Sequence, residues 1–360
     1  MEDILKKYFS QYFLKIKELI PKSKPKTFVG LDIGASSVKV VEINNDAVGF
    51  TIDKFTVEAV NQDDVASSIA NALEKSGVAT KTVNTSVSGQ GVIIRYVVMP
   101  KMPLSDIKSS ISLEADKYFP FPLEEVIMDC FILEDSPLEN KVFVLIAAAK
   151  KELIEQRIAL LLKLNLEPQI ISTDSIAMAN VFNVLGPKLN IDYALDSQGR
   201  VSSLAVLNIG ATFSNLNIIK NNLPCFTRDI FIGGIDFTKK ISNILGLDMK
   251  AAENLKLNGP DDEKQKILDA CESVLNNLLT EIRLSFDYFE TENNIPVSHL
   301  YLSGGGSYLK GLDETMRQGL GIEIDLWQPF LGLNVNPNLS TRDLKAQANK
   351  LSIAIGLALR

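Results

Sequence analysis

Apolar residues recur at three- and four-residue steps over the first twenty positions, at Ile4, Leu5, Tyr8, Phe9, Tyr12, Phe13, Ile16, Leu19 and Ile20. That spacing predicts an amphipathic helix. Lys6, Lys7, Lys15 and Lys17 sit beside or opposite the stripe, and Pro21-Lys22-Ser23-Lys24-Pro25-Lys26 ends the helix as a short linker. The pattern then changes period. Thr27–Ile33, Ser37–Ile43 and Val48–Val57 read as three strands of a meander, and Asp63–Ser76 as a helix stopped by Gly77. Strands at Thr82–Val87 and Val92–Val98 follow, then a helix at Ser105–Tyr118 with Ser105 as its cap. Strands at Val126–Leu133 and Val142–Ala149, a helix at Lys151–Leu164, a strand at Gln169–Ser172 and a helix to Leu185 complete the first half. A polar loop covers Gly186–Arg200.

The second half repeats the opening. Ser203–Asn208, Phe213–Ile219 and Leu223–Ile230 form another three-strand meander, followed by helices at Ile235–Leu245, Lys250–Lys256 and Glu263–Thr291. A strand at Leu300–Ser303 runs into Gly304-Gly305-Gly306, and a helix at Leu309–Leu320, a strand at Glu323–Leu326 and an apolar helix at Ala346–Leu359 close the chain. Leu31-Asp32-Ile33-Gly34-Ala35-Ser36 aligns with Leu207-Asn208-Ile209-Gly210-Ala211-Thr212, 176 residues later. Each copy is a strand, a tight glycine turn with a hydroxyl residue two places on, and a second strand. The repeat implies two related α/β halves around a common cleft, where unpaired backbone N–H groups and hydroxyls suit phosphate oxygens.

Composition narrows the chemistry. The 360 residues are 46% hydrophobic, with a net charge of −7, which argues against nucleic-acid binding through the overall field and agrees with a globular chain. Within it, residues 1–26 carry a local charge of +4, so that helix could lie on an anionic membrane surface, contact another subunit or self-associate. Cys130, Cys225 and Cys271 lack metal-site spacing and read as reduced thiols. His299 is the only histidine and opens an apolar strand, which disfavours Ser-His-Asp catalysis and histidine metal sites. No run approaches the roughly 18 apolar residues that span a bilayer. A cytoplasmic location is expected.

In the first turn, Asp32 has the charge to hold Mg²⁺ through water. Gly34 permits close backbone approach, Ser36 and Ser37 can donate, and Lys39 can reach a phosphate from the second strand. A triple glycine at Gly304, Gly305 and Gly306 would let an adenine ring lie against bare backbone. The expected ligand is ATP with Mg²⁺.

These motifs look like the superfamily of actin, heat-shock chaperone ATPases and hexokinase. Gly30-Leu31-Asp32-Ile33-Gly34-Ala35-Ser36-Ser37-Val38-Lys39 resembles more closely the PilM family of type IV pilus assembly proteins, an FtsA-like branch. Ser86–Gly89 with Val92–Arg95, Pro100-Lys101-Met102, Glu114–Pro122, Glu281–Phe289, Leu302–Gly306 and Ile355–Arg360 are similar to further family segments in the same order. The resemblance implies a duplicated actin-like (ribonuclease H-like) α/β fold with an FtsA-type inserted subdomain. The expected division is residues 1–26 as basic helix and linker, 27–94 and 167–200 as the first half, 95–166 as the inserted subdomain, 201–343 as the second half, and 344–360 as a helix packing on the first half.

By position, the resemblance implies a first phosphate loop over Asp32, Gly34, Ala35, Ser36, Ser37 and Lys39 and a second over Asn208, Gly210, Ala211 and Thr212. The glycines 304–306 become the adenosine loop, with Glu253 and Lys256 near ribose or base on a helix after Gly233-Gly234. It also implies an adaptor role: binding the cytoplasmic N-terminal tail of PilN, alongside other inner-membrane pilus assembly proteins, peripheral to the inner membrane. Arg95, Tyr118, Phe119 and Phe121 are candidates for the partner groove, the aromatics alternatively filling the subdomain's core. The superfamily usually has Asp where Asn208 stands. An amide cannot polarise water by charge, and no motif offers a second carboxylate, so ATP turnover is expected to be weak at most. Three alternatives stay open: an FtsA-like membrane-tethered division protein, a GspL-like secretion component and a small-molecule kinase.

Overall fold

The computed structural model describes residues 27–46, 49–136, 140–186 and 202–359. The expected N-terminal helix and most of the polar loop expected at Gly186–Arg200 lie outside them. Each half is built on one sheet. The first contains β1 (Thr27–Ile33), β2 (Ser37–Asp46), β3 (Gly49–Ala59), β4 (Thr82–Val87) and β8 (Glu167–Thr173), in the order β3-β2-β1-β4-β8. The second contains β9 (Ser203–Ile209), β10 (Ser214–Lys220), β11 (Leu223–Ile230), β12 (Val297–Ser303) and β13 (Glu323–Leu326), in the order β11-β10-β9-β12-β13. The pairing is the same in both: two antiparallel hairpins, then two parallel strands. The sequence repeat is thus a repeat of topology. A short strand, β14 (Asn334–Val335), which no alternation announces, extends the first sheet beyond β3.

Helices cover both faces of these sheets, which is why β9 is buried along its whole length. Around the first sheet lie α1 (Val65–Ser76), α4 (Lys151–Lys163) and α5 (Asp174–Leu185). Asp64 caps α1 by accepting from the Ser67 N–H, and Gly77 ends it at φ 67°. Around the second lie α6 (Gly234–Leu245), α7 (Met249–Asn258), α8 (Lys264–Asn293) and α9 (Leu312–Leu320). One apolar cluster joins the halves: α5 contacts strands of both sheets, and α11 (Ser352–Ala358) packs on β1, β2, β4 and α5. Phe182 stacks on Trp327 at 4.8 Å between ring centroids in the same cluster.

The close approach of α11 requires glycine on both sides. A Cβ on Gly30 would lie 1.9 Å from the Ala354 carbonyl oxygen, and one on Gly356 would lie 1.7 Å from that of Ala177. The single C-terminal helix expected from hydropathy is instead α10 (Thr341–Gln347), a 3-10 turn at Ala348–Lys350 and α11. The Asn349 carbonyl is drawn out of the helical ladder, accepting from Gly304 N–H at 2.7 Å and Ser303 Oγ at 2.8 Å.

A separate three-stranded sheet, ordered β5-β7-β6, is formed by β5 (Val92–Pro100), β6 (Val126–Ser136) and β7 (Lys141–Lys150). Its core includes Ile107, Ile111, Ala115, Phe119 and Val144. The helix expected at Ser105–Tyr118 is divided into α2 (Leu104–Leu113) and α3 (Ala115–Tyr118) by Glu114. Pro103 occupies the cap position and Ser105 lies inside the first turn, its hydroxyl on Asp106 at 3.1 Å.

Candidate functional site

The C-terminal ends of β1, β4, β8, β9 and β12 set the site. At the end of β1, the Gly34 N–H donates to the Ser37 carbonyl at 3.1 Å, closing the turn and leaving Ala35 and Ser36 exposed. The hairpin register sets Asp32 opposite Lys39, and the two form an ion pair at 3.1 Å. Asp32 is only 4% exposed. A Cβ on Gly34 would come within 2.9 Å of the Lys39 ammonium, so the turn needs glycine to keep that cation in place.

The second turn reproduces this geometry with different chemistry. Gly210 N–H donates to Phe213 carbonyl at 3.0 Å, and Asn208 stands opposite Asn215. Asn208 Nδ2 lies 3.4 Å from Asn215 Oδ1, and Asn215 Nδ2 donates to Asp229 at 2.6 Å. Gly233 and Gly234 press on this turn: the Gly234 and Ile235 N–H groups each donate at 2.8 Å, to Gly210 and Ala211 respectively. Thr212 is exposed at the tip.

Gly304, Gly305 and Gly306 follow β12 and lie against the second turn. Gly304 has φ 84°, and a Cβ there would meet the Ile209 carbonyl at 2.3 Å and Asn208 Oδ1 at 2.7 Å. At Gly306 a Cβ would fall 2.3 Å from Ile209 Cγ2, whereas at Gly305 it would meet nothing within 4 Å. Gly305 therefore presents bare backbone to open space.

Lys256, expected near this region on α7, is 3% exposed. Its ammonium donates to the Gly234 carbonyl at 3.0 Å and Thr238 at 2.8 Å, and pairs with Glu253 at 2.6 Å. Lys350 also belongs here. Burial, helped by the neighbouring Lys39 charge, pushes its ammonium pKa down, while Glu253 opposes the shift. Its ammonium lies 5.2 Å from the Tyr308 ring centroid. Both glycine turns, the glycine triplet, α7 and two lysines from opposite ends of the chain are thereby assembled.

Several polar groups at the floor were not visible as motifs. Asp174 begins α5, accepts from Ser86 at 2.6 Å and from Ser88, and has its pKa raised by burial and by Asp32. It is the second carboxylate that motif reading did not find. Its one sequence signal is its place just after Thr173, which caps α5 at the end of a parallel strand. Asp229 is pushed up to about 6, chiefly by burial, although Asn215 and the Gly89 N–H hydrogen-bond its carboxylate.

Asp174 and Asp229 face a cavity of about 320 Å³, whose lining includes Ser88, Arg95, Asn215 and Thr227. It lies where both large sheets meet the small one. Tyr96 OH and Thr227 Oγ1, 3.0 Å apart, bridge the small sheet to the second half. Of the candidate partner residues, Arg95 is exposed at this cavity. Phe119 is buried in the small core, and Tyr118 and Phe121 flank that core, with Lys150 4.5 Å from the Phe121 ring centroid. The four are not brought together.

Cys130, Cys225 and Cys271 are free, and burial raises each thiol, to about 11, 12 and 11. His299 lies 3.0 Å from Asp325 and burial lowers its pKa. Among the described residues, no three His, Cys, Asp or Glu side chains gather into a metal-ligand set, and no helix is long and apolar enough to cross a membrane.

A family model described as type IV pilus assembly protein PilM matches residues 30–360. A solved PilM-PilN type IV pilus biogenesis complex has a chain 28% identical to this one, with a TM-score of 0.80, over 92% of this chain and 98% of that one. The cell division protein FtsA of Streptococcus pneumoniae is 25% identical over 84% of this chain and 75% of its own length. The ethanolamine utilization protein EutJ of Carboxydothermus hydrogenoformans shares the fold, with 15% identity and a TM-score of 0.51 over 96% of this chain and 93% of that one. The fold is that of the actin-like ATPases.

Proposed function

Because this chain belongs to the PilM family of type IV pilus assembly proteins, we propose that it is an ATP-binding adaptor that links nucleotide occupancy to capture of the cytoplasmic tail of a PilN partner. The observation that carries the nucleotide half is the meeting of two bare glycine turns and a glycine triplet beside Lys39 and Lys350. The clashes that a Cβ would meet at Gly34, Gly210, Gly304 and Gly306 hold these turns tightly together, and the exposed turn residues and the open face of Gly305 offer backbone groups to phosphate oxygens and a nucleoside.

In this reading, Gly34, Ala35, Ser36 and Ser37 receive phosphate oxygens on one side, and Gly210, Ala211 and Thr212 on the other. Lys39 and Lys350 offset their charge. Asp32 would hold a Mg²⁺ ion through water, and that ion would supply positive charge against the phosphates. Gly304, Gly305 and Gly306 give the nucleoside a flat backbone surface, with Glu253 and Lys256 beside Gly233 at its edge. Asn208 can orient a water by hydrogen bonding but carries no charge to polarise it, so turnover is slow at most.

The partner half rests on the cavity at the root of the small sheet, with Arg95 exposed for a backbone carbonyl or carboxylate of the tail. A hydrogen-bonded path connects the two sites: Asn208, Asn215, Asp229 and the Gly89 N–H, with Thr227 and Tyr96 alongside. Closure on nucleotide would thereby move the wall of the partner site, which is the differential contact that coupling requires. Other inner-membrane pilus assembly proteins and, through residues 1–20, an anionic membrane surface complete the proposed setting: cytoplasmic, peripheral to the inner membrane.

Calorimetry with Mg·ATP on wild type and Asp32→Ala, followed by titration with a PilN N-terminal peptide, tests the reading. We expect ATP binding that the variant loses and a peptide affinity that changes with nucleotide. Peptide binding indifferent to nucleotide in a wild type that binds no ATP would leave a scaffold with an inert cleft.

A further inference from the structure

The two glycine turns are held from outside in the same way but by different atoms. In the second, the Ala211 carbonyl accepts from the Ile235 N–H at 2.8 Å, at the start of α6. The equivalent carbonyl 176 residues earlier, that of Ala35, accepts from the side-chain amide of Gln62. The segment between β3 and α1 also gives the Val60 N–H to the Ser36 carbonyl at 3.0 Å. A backbone donor in one half is thus matched by a side-chain donor in the other.

Gln62 reaches the turn from the α1 side. Its segment is fixed to that helix, since the Asn61 N–H donates to Ser68 Oγ at 2.9 Å and Asp64 caps the first turn. Ile69 and Ala72 of α1 pack on the sheet face that carries Val29, Leu31, Val38 and Val40. Asp32 and Lys39 alternate with those residues and point to the opposite face. In a trans peptide the carbonyl and the following N–H point in opposite directions. With the Ala35 carbonyl held towards α1, the Ser36 N–H is directed to the side of Asp32 and Lys39, where the cleft lies. Without that bond the exposed peptide is free to rotate its carbonyl oxygen into the cleft, where it repels an anion.

We propose that Gln62 is a positioning residue for the first glycine turn: its carboxamide holds the Ala35 carbonyl away from the cleft and so sets the Ser36 N–H to donate to a phosphate oxygen of bound nucleotide, a role that rests on the nucleotide reading above. Ile235, a backbone donor, keeps the second turn set whatever side chain it carries. The first turn depends on one solvent-exposed side chain that can be exchanged.

The experiment is a calorimetric titration of Mg·ATP into wild type, Gln62→Met and Gln62→Lys, with thermal melts of all three and the Ser36 amide followed by NMR. Methionine keeps the length of glutamine without a donor, and lysine restores a donor. All three should melt alike, because Gln62 is exposed. The Met variant should bind Mg·ATP about tenfold more weakly than wild type, and the Lys variant within about threefold of it, as the loss and return of one hydrogen bond allow. At about 1 M salt, where the screening length is about 3 Å, a rescue by hydrogen bonding persists and one by charge attraction fades. Saturating Mg·ATP should shift the Ser36 amide resonance in wild type and leave it nearly unmoved in Gln62→Met. Equal ATP affinity of wild type and Gln62→Met would overturn the positioning role, as would a Met variant that melts well below wild type, a lysine rescue that is absent or fades in salt, or an equal Ser36 shift in both proteins. A wild type that binds no ATP would instead overturn the nucleotide reading, and the role of Gln62 with it.

Discussion

Asp32 and Lys39 face each other across the first hairpin at 3.1 Å, and the residues 176 positions later, Asn208 and Asn215, face each other across the second at 3.4 Å. One backbone geometry therefore carries an ion pair in one half and an amide pair in the other. The first turn concentrates charge at the cleft, whereas the second passes a hydrogen bond onward to Asp229.

This difference predicts how the first turn responds to mutation. Lys39→Asn leaves a buried carboxylate unpaired and should cost about 3 kcal/mol of stability. Asp32→Asn with Lys39→Asn recreates the amide pair of the second turn and should recover most of that loss. Urea unfolding of the two single variants and the double variant gives the coupling; additive losses would mean that the pair does not act as a unit.

The glycines separate into packing and site classes. Gly356→Ala places a methyl 1.7 Å from the Ala177 carbonyl oxygen and should cost about 3 kcal/mol or prevent folding. Gly305→Ala meets nothing within 4 Å, so it should melt like wild type and weaken ATP binding if the nucleoside lies on that backbone. A Gly305→Ala protein with unchanged ATP affinity would remove the triplet from the site.

Asp229 makes stability depend on pH. Burial raises its folded pKa to about 6, above the ordinary carboxylate value, so the folded state holds the proton longer than the unfolded chain. Its contribution is then fully present below pH 4 and is lost as pH rises to 6. Asp229→Asn should accordingly gain on wild type over that window, by at most about 3 kcal/mol. Denaturation at pH 4 and pH 7 measures the difference, and a constant gap would show that Asp229 is not the titrating group.

The Tyr96–Thr227 bridge should matter more for coupling than for folding. Tyr96→Phe removes one hydrogen bond and should cost about 1 kcal/mol. In the proposed mechanism it should also shrink the effect of Mg·ATP on peptide affinity while leaving ATP binding unchanged. An undiminished nucleotide effect would exclude the bridge from the path.

How far the residues could be read in isolation depended on the range of the interactions involved. The hairpins, their glycine turns and the 176-residue repeat were legible because alternation and turn chemistry act between near neighbours. The same is true of α1, whose cap at Asp64 and stop at Gly77 lie within its own turns. The break in the C-terminal helix was not legible, since it arises from Gly304 and Ser303, 45 or more residues earlier, claiming the Asn349 carbonyl. Lys350 and Asp229 gain their roles only from segments folded against them, and Asp174 from Asp32 and Ser86. Arg157 sits in an ordinary helical pattern, and only packing of α4 on the sheet ends shows that its Nη1 is enclosed. Local periodicity determined the two halves and their turns; the chemistry between them was decided by burial, which no stretch of sequence sets by itself because it depends on what the rest of the chain brings alongside.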